Sequence, residues 1–237
     1  MSLVLKPSLD MRRFFKPVLI LFTMVACQLS YAGVWGEGKW GTMKWGVESD
    51  VEVSATTSEI QVTEAYIGLL GRAPDPAGLA YWARQLDGAI ATGENAAVAL
   101  KKLTNDITLS AEWVSGIGAN NASTQVGAEA IVSAMYPNLF GRAATTADTA
   151  YWSTELVAGT TTASEMAVQL IQGAKANTAN LTDAQILGFK EDAATYYVQN
   201  VPQAKFTRSS ANDAVKDVID AESLAASKAA TDIVKSG

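Results

Sequence analysis

The sequence predicts an all-α protein: a tandem helical repeat body preceded by a short Trp-Gly-rich extended leader. Three observations carry this reading. Apolar residues recur at helical spacing from Val62 almost to the C-terminus. A block of sequence returns after 70 residues, and strand-like patterning is confined to a glycine-rich stretch near the N-terminus. The chain divides on these grounds into a signal peptide (1–32), a Trp-Gly leader with an acidic linker (33–58), a first helical repeat (59–120), a second (121–176) and a C-terminal helical region (177–237).

Composition narrows the function. The 237 residues hold 18 Lys plus Arg, 24 Asp plus Glu, one Cys and no His. Without His there is no Ser-His-Asp or Cys-His catalysis, no imidazole metal ligand and no His acid–base catalyst. An acidic balance argues against nucleic acid as a partner, because phosphate binding needs clustered cations. The chain contains no phosphate loop and no dinucleotide fingerprint, so no cofactor is implied.

Residues 1–32 read as a targeting segment. Arg12, Arg13 and Lys16 precede the apolar run VLILFTMVAC from Val18 to Cys27, and Ser30-Tyr31-Ala32 places small residues where a signal peptidase cuts. The apolar run is half the length a membrane span requires, about twenty residues. Cleavage after Ala32 is the expectation, with the true start open between Met1 and Met11. Met24-Val25-Ala26-Cys27 is a near miss to a lipoprotein box, which makes anchoring at Cys27 the minor alternative, and Arg12-Arg13-Phe14-Phe15 partly matches a twin-arginine signal. Cleavage removes four cations and Asp10, leaving 14 positive and 23 negative residues, net −9, and no cysteine. Such a chain is expected to be secreted to the cell surface or the extracellular space, with the periplasm as an alternative, without a transmembrane segment in the mature chain, and held by packing alone.

The leader comes next. Trp35-Gly36, Trp40-Gly41 and Trp45-Gly46 recur every five residues, and five Gly among residues 33–46 disfavour a helix. In an extended strand Trp35 and Trp45 share one face and Trp40 takes the other. The bland reading is a flexible leader that tucks its indoles onto the next domain. The sharper one is a binding segment, because exposed Trp is costly unless a subunit, a sugar face or a membrane interface covers it. Val47 to Ser58 is polar and acidic and reads as linker.

The body is a duplication. Tyr66-x3-Leu70-Gly71-Arg72-Ala73 matches Tyr136-x3-Phe140-Gly141-Arg142-Ala143, Tyr81-Trp82 matches Tyr151-Trp152, and Ala97-Val98-x-Leu100 matches Ala167-Val168-x-Leu170. In the first copy Val62, Tyr66, Leu69 and Leu70 form one apolar helix face, and Gly71 stops that helix. Asp75-Pro76 starts a second helix whose face is Leu79, Trp82, Ala83 and Leu86. Glu94 to Leu109 forms a third, with Ala96, Leu100, Leu103 and Ile107 on one side. The second copy starts its corresponding helix with a Thr145/Asp148 capping box. Beyond residue 177, Thr182-x-x-Gln185 is expected to cap a helix carrying Ile186, Phe189, Ala193 and Tyr197. Pro202 ends that helix, Ser210-x-x-Asp213 opens another with Val215, Val218 and Ile219, and an alanine-rich helix runs from Ala221 to Val234. Asn180-Leu181-Thr182 fits a glycosylation sequon but is read as part of the Thr182 cap.

YIGLLGRAPDPAGLAYWARQL, Tyr66 to Leu86, resembles the motif of a bacterial family, the domain of unknown function numbered 4214. Two copies span roughly residues 59 to 175, and the second is degenerate: Thr145 stands for Asp75, Asp148 for Gly78 and Thr149 for Leu79. The segment from Phe189-Lys190 to Tyr197 is similar to the region C-terminal to this domain in related secreted proteins. The resemblance implies an exported or surface-layer-like context. It also implies a helical likeness to linkers of light-harvesting complexes, with a role in scaffolding rather than known catalysis.

The motif residues Arg72, Asp75, Gly78, Tyr81, Trp82, Arg142, Tyr151 and Trp152 are therefore read as structural. Asp75 caps its helix, Arg72 pairs with it or with helix-end carbonyls, and Trp82 with its counterpart Trp152 belongs to the core, although the Tyr-Trp pairs also suit a ligand platform. Asp183, Glu191 and Asp192 lack calcium-loop spacing and read as a solvated helix face. No catalytic or metal residue is assigned. The function expected is a non-enzymatic structural or interaction protein of the cell surface or extracellular matrix, partnered by itself, by another envelope protein or by polysaccharide, with the leader as assembly or attachment segment. The alternative is a carbohydrate-binding module stacking sugars on Trp35, Trp40 and Trp45. A hydrolase built on carboxylates alone stands third, with no acid pair singled out for it.

Overall fold

A computed structural model describes residues 55–177 and 181–237. The signal segment, including Cys27, and the leader with Trp35, Trp40 and Trp45 lie outside the described residues. Within them every regular element is helical: α1 (Thr57–Leu70), α2 (Pro76–Ala91), α3 (Ala96–Thr108), α4 (Ala111–Ser115), α5 (Gln125–Phe140), α6 (Thr146–Ala158), α7 (Ala163–Ala176), α8 (Thr182–Asn200), α9 (Arg208–Asp213) and α10 (Ala221–Ser236). The chain is all-α there, and α1 to α3 correspond in order to α5 to α7.

α1 begins before the expected linker ends. The Thr56 hydroxyl accepts from Glu59 N, and the Glu59 carboxylate accepts from Thr56 N at 2.7 Å, a reciprocal cap that sets the first helical residue at Thr57. It ends at Gly71, whose φ of 65° lies in the left-handed region that side chains avoid, and Gly141 ends α5 in the same way. The single apolar face expected of α1 is too narrow. Eight consecutive residues from Val62 to Leu69 are buried, because α1 is packed by α2, α3, α4, α5, α7 and α8. It is the axle of the domain. α5 crosses it closely at Gly68, where a Cβ would stand 3.1 Å from Leu139 Cδ2, and Asn138 Nδ2 donates to Gly68 O at that crossing.

Apart from α8, the other helices start on polar caps. Asp75 accepts from Gly78 N with Pro76 in the first turn of α2, Thr145 and Asp148 form the expected box on α6, and Thr162 with Glu165 forms another on α7. Two expected caps differ. Leu181 occupies the N-cap of α8 with helical φ and ψ of −82° and −7°, so Thr182 is already the first helical residue and cannot take the extended backbone a cap needs. α9 is opened by Thr207, which accepts from Ser210 N, while the Ser210 hydroxyl meets Tyr197 OH at 2.6 Å.

Burial also shifts two faces. α3 buries Ala99, Leu103, Thr104 and Ile107, leaving Ala96 exposed and Leu100 half-buried. α8 buries Leu187, Lys190, Ala194 and Tyr197 with Ala193, while Ile186 and Phe189 are half-buried. Lys190 lies inside because the chain after α9 turns with free carbonyls. Its ammonium donates to Val215 O at 2.6 Å and Lys216 O at 3.2 Å, and Ser227 Oγ donates to Ala214 O. Burial pulls the Lys190 ammonium down to about 8. Val215 and Val218 are buried as expected, whereas Ile219 is exposed.

The C-terminal region returns to the start of the body. Ala73 N donates to Ala211 O at 3.0 Å, and Asn212 Nδ2 donates to Gly71 O at 2.6 Å. The turn between α1 and α2 is thus held by residues of α9.

The axle role of α1 makes a direct prediction. Ile67→Ala, at a fully buried position, is expected to lower urea stability by about 2–5 kcal/mol through cavity formation. Leu109→Ala, 71% exposed, is expected to stay within about 0.5 kcal/mol of the parent.

Candidate functional site

The motif residues converge on one arginine in each copy. Arg72 comes directly after the left-handed Gly71, which turns it back under α1. Its Nε donates to Glu112 Oε1 at 2.6 Å and its Nη2 to Glu112 Oε2 at 2.7 Å, a bidentate fork, while Nη1 donates to Ala73 O at 2.8 Å. Asp75, the partner expected from sequence, is 3.9 Å away and serves chiefly as the α2 cap. The guanidinium stacks 5.1 Å above the Tyr66 ring and 5.3 Å from that of Phe206. Burial works against the Arg72 charge, but Glu112 raises its pKa overall. The same pairing, joined by Arg208, holds the Glu112 carboxyl low against its own burial.

Arg142 repeats the arrangement. Its Nε and Nη2 donate to Asp183 at 2.8 and 2.7 Å, Nη1 donates to Ala143 O, and the guanidinium lies 5.1 Å over Tyr136. Glu112 and Asp183 each occupy the second residue of the fourth helix of their copy, α4 and α8. The second lock therefore takes its acid from beyond residue 177. It is also more open: the Arg142 side chain is 39% exposed against 7% for Arg72, which Phe206 and Arg208 help to cover.

The departures of the second copy compensate one another. In the first, the Asp75 carboxylate and the Tyr66 hydroxyl would each lie 2.8 Å from a Cβ on Gly78, so a side chain there would push both of them aside. In the second, Thr145 replaces the aspartate, and Asp148 supplies the carboxylate from the glycine's position. It accepts from Thr145 N at 3.0 Å and lies 3.6 Å from Arg142. The acid survives by moving three residues along the helix. Burial, and Asp148 beside it, push the Tyr136 hydroxyl up to about 12, and burial with Asp75 raises that of Tyr66.

The tryptophans pack against the core from half-buried positions. Trp152 Nε1 donates to Tyr136 OH at 3.2 Å. Tyr81 and Tyr151 stand outside them, 52% and 57% exposed. Each forms an edge-to-face pair with its tryptophan at 4.9 Å. The structure thus gathers Arg72, Asp75, Gly78 and Trp82 in one cluster and Arg142 and Trp152 in another, with both tyrosines at the surface.

A third polar cluster was missed by sequence reasoning. Glu64, on the buried middle of α1, lies 2.5 Å from Lys175 Nζ of α7, and the same ammonium is 3.3 Å from Glu191 of α8. Neither Oε1 completes a well-aligned hydrogen bond, so the ammonium acts through its charge. Burial, and then the neighbouring Glu191, push the Glu64 carboxyl up to about 8, outweighing Lys175. Glu64 and Lys175 border a cavity of about 290 Å³ between α1, α3 and α7, whose walls include Leu100, Val168 and Ile171. Chemically the cluster can hold a proton near neutral pH. Of the acids read as a solvated face, Asp183 and Glu191 are instead engaged between helices, and Asp192 is exposed. Among the described residues no group of three or more His, Cys, Asp or Glu could hold a metal ion.

The two locks differ in what losing their acid should cost. Glu112→Ala is expected to cost about 3–5 kcal/mol in urea unfolding, because it strands a buried guanidinium. Asp183→Ala, beside the more open Arg142, is expected to cost about 1 kcal/mol or less. For Glu64, the folded state holds a proton that the unfolded state releases near 4.5, so its contribution is complete below that pH and is lost as pH rises through about 8. The urea midpoint is expected to fall between pH 5 and pH 8, and Glu64→Gln to flatten that slope.

No curated protein and no solved structure matches the chain. The family described as domain of unknown function (DUF4214) matches it twice, at residues 50–109 and 104–179, spanning both arginine locks up to their acids. With more than half of its length covered by two tandem matches, this chain belongs to the DUF4214 family.

Proposed function

We propose that this chain is an exported, non-enzymatic structural or interaction protein of the cell surface or extracellular matrix. Its helical repeats act as the scaffold, and the Trp-Gly leader acts as the assembly or attachment segment. One observation supports this above the others: in both copies the polar residues that distinguish the motif are spent on helix caps and helix-to-helix ion pairs. Asp75 and Asp148 cap, Arg72 and Arg142 grip the acids of α4 and α8, and Gly78 makes room for a carboxylate. Side chains so engaged serve to hold a module in shape. That is what a repeated scaffold unit requires, whereas a catalytic group must reach a substrate. The apolar signal-like segment and the three Trp-Gly steps support export and docking. Among the described residues no helix is long and apolar enough to cross a membrane.

Light scattering on residues 33–237 and 47–237, across a concentration series with and without calcium, tests the reading. The longer chain is expected to gain mass with concentration while the shorter stays monomeric. If both remain monomeric, self-assembly through the leader is wrong. Quenching of Trp35, Trp40 and Trp45 fluorescence by polysaccharide would then favour the carbohydrate-binding alternative.

A further inference from the structure

Between α2 and α3 lies a cleft of about 260 Å³, whose Trp82 wall it shares with the cluster around Arg72. Its floor is apolar, with Leu86 and Leu103 buried beneath it. One wall is the Tyr81–Trp82 pair, whose ring planes meet at 76°. Gln85, Glu94, Lys102 and Asp106 line the rest, and Lys102 Nζ meets Glu94 Oε1 at 2.5 Å. Trp82 is half-buried and packed against the core, which holds its ring in place. Tyr81 is 52% exposed, a large aromatic surface that the fold leaves in water beside this cleft.

We propose that this cleft binds a neutral pyranose unit of a polysaccharide, with Tyr81 and Trp82 as the stacking wall and Gln85, Glu94, Lys102 and Asp106 as hydroxyl partners. The chemistry selects the ligand. An apolar ligand would strip water from four polar side chains without replacing it. An anion would face two carboxylates. A cation would meet Lys102 at the rim, with Glu94 already paired. A sugar ring presents a C–H face to an aromatic wall and hydroxyls that both donate and accept, and the rim offers an ammonium donor, carboxylate acceptors and an amide that does both. The volume lies just below the range of about 300–1,000 Å³ usual for drug-sized ligands, the scale of one sugar ring with its neighbours outside.

The second copy supplies an internal control. Its Tyr151–Trp152 pair has nearly the same geometry, 4.9 Å and 75°. The buried face of α3 (Ala99, Leu103, Thr104, Ile107) matches that of α7 (Met166, Leu170, Ile171, Ala174) residue for residue, which puts Thr161, Gln169 and Gly173 at the places of Glu94, Lys102 and Asp106, while Glu155 stands at that of Gln85. The aromatic pair is kept there without the Lys102 ammonium and without the Glu94 and Asp106 carboxylates. The proposal therefore places binding in the first copy, and it is independent of the scaffold reading and of the leader.

Saturation-transfer NMR on the full chain tests it, with cellotriose, xylotriose, maltotriose, laminaritriose and chitotriose as probes and tetramethylammonium as a charged competitor. At least one trisaccharide is expected to receive saturation at its ring protons. Tyr81→Ala is expected to weaken that binding about tenfold with an unchanged thermal midpoint, as its exposure allows, and Asp106→Asn to weaken it without disturbing the fold. Tyr151→Ala and the combined replacement of Trp35, Trp40 and Trp45 by Ala are expected to leave it intact. Silence from all five sugars overturns the proposal, as does binding of tetramethylammonium alone. It also fails if Tyr151→Ala weakens binding as much as Tyr81→Ala, or if only the leader replacement abolishes it.

Discussion

A guanidinium removed from water costs several kcal/mol unless its N–H groups find acceptors in the right plane, and this body meets that demand at Arg72 and repeats the same fork, more open to water, at Arg142. The Arg72 fork joins the end of α1 to the first turn of α4, and the Arg142 fork joins the end of α5 to the first turn of α8. Each lock fixes the entry and exit of a four-helix unit relative to one another. An aromatic ring, Tyr66 or Tyr136, lies beneath each arginine, and the Tyr136 hydroxyl is tied to the next helix by Trp152. Helix ends, caps and ring packing form one connected network in each copy.

That network leaves α1 in a position few helices occupy, packed on every side. A central helix forfeits the usual outlet for its charged residues, so Glu64 meets Lys175 and Glu191 inside the body instead of water. The raised Glu64 pKa is a result of that placement. Lys190 is a second case of the same logic: an interior turn with open carbonyls draws in an ammonium from the helix that covers it.

Much of the architecture was legible because helix ends are governed by neighbours in sequence. Gly71, Gly141, Asp75-Pro76 and the Thr145/Asp148 box each declare a start or a stop within four residues, and the 70-residue duplication is written in paired dipeptides. What escaped was tertiary. Glu112 lies 40 residues from Arg72 and sits in a five-residue helix with no periodic signal. The face of α8 was misplaced because hydropathy puts Lys190 outside, and that of α1 because a one-sided pattern does not reveal a helix surrounded by others. Within the α2–α3 cleft, Tyr81 and Trp82 were visible as a candidate platform, but the rim that Glu94, Lys102 and Asp106 build around them depends on how α3 turns against α2.

The bonds from Ala211 and Asn212 back to Ala73 and Gly71 have a consequence in time. Asn212 and Gly71 are 141 positions apart, and nothing nearer in the chain supplies these partners. During translation the first copy and its Arg72–Glu112 lock emerge well before the residues that close its turn, so that turn stays open until α9 has left the ribosome. Contacts of such high order slow folding. The two copies, though built on one pattern, cannot mature as independent modules in the order in which they are made.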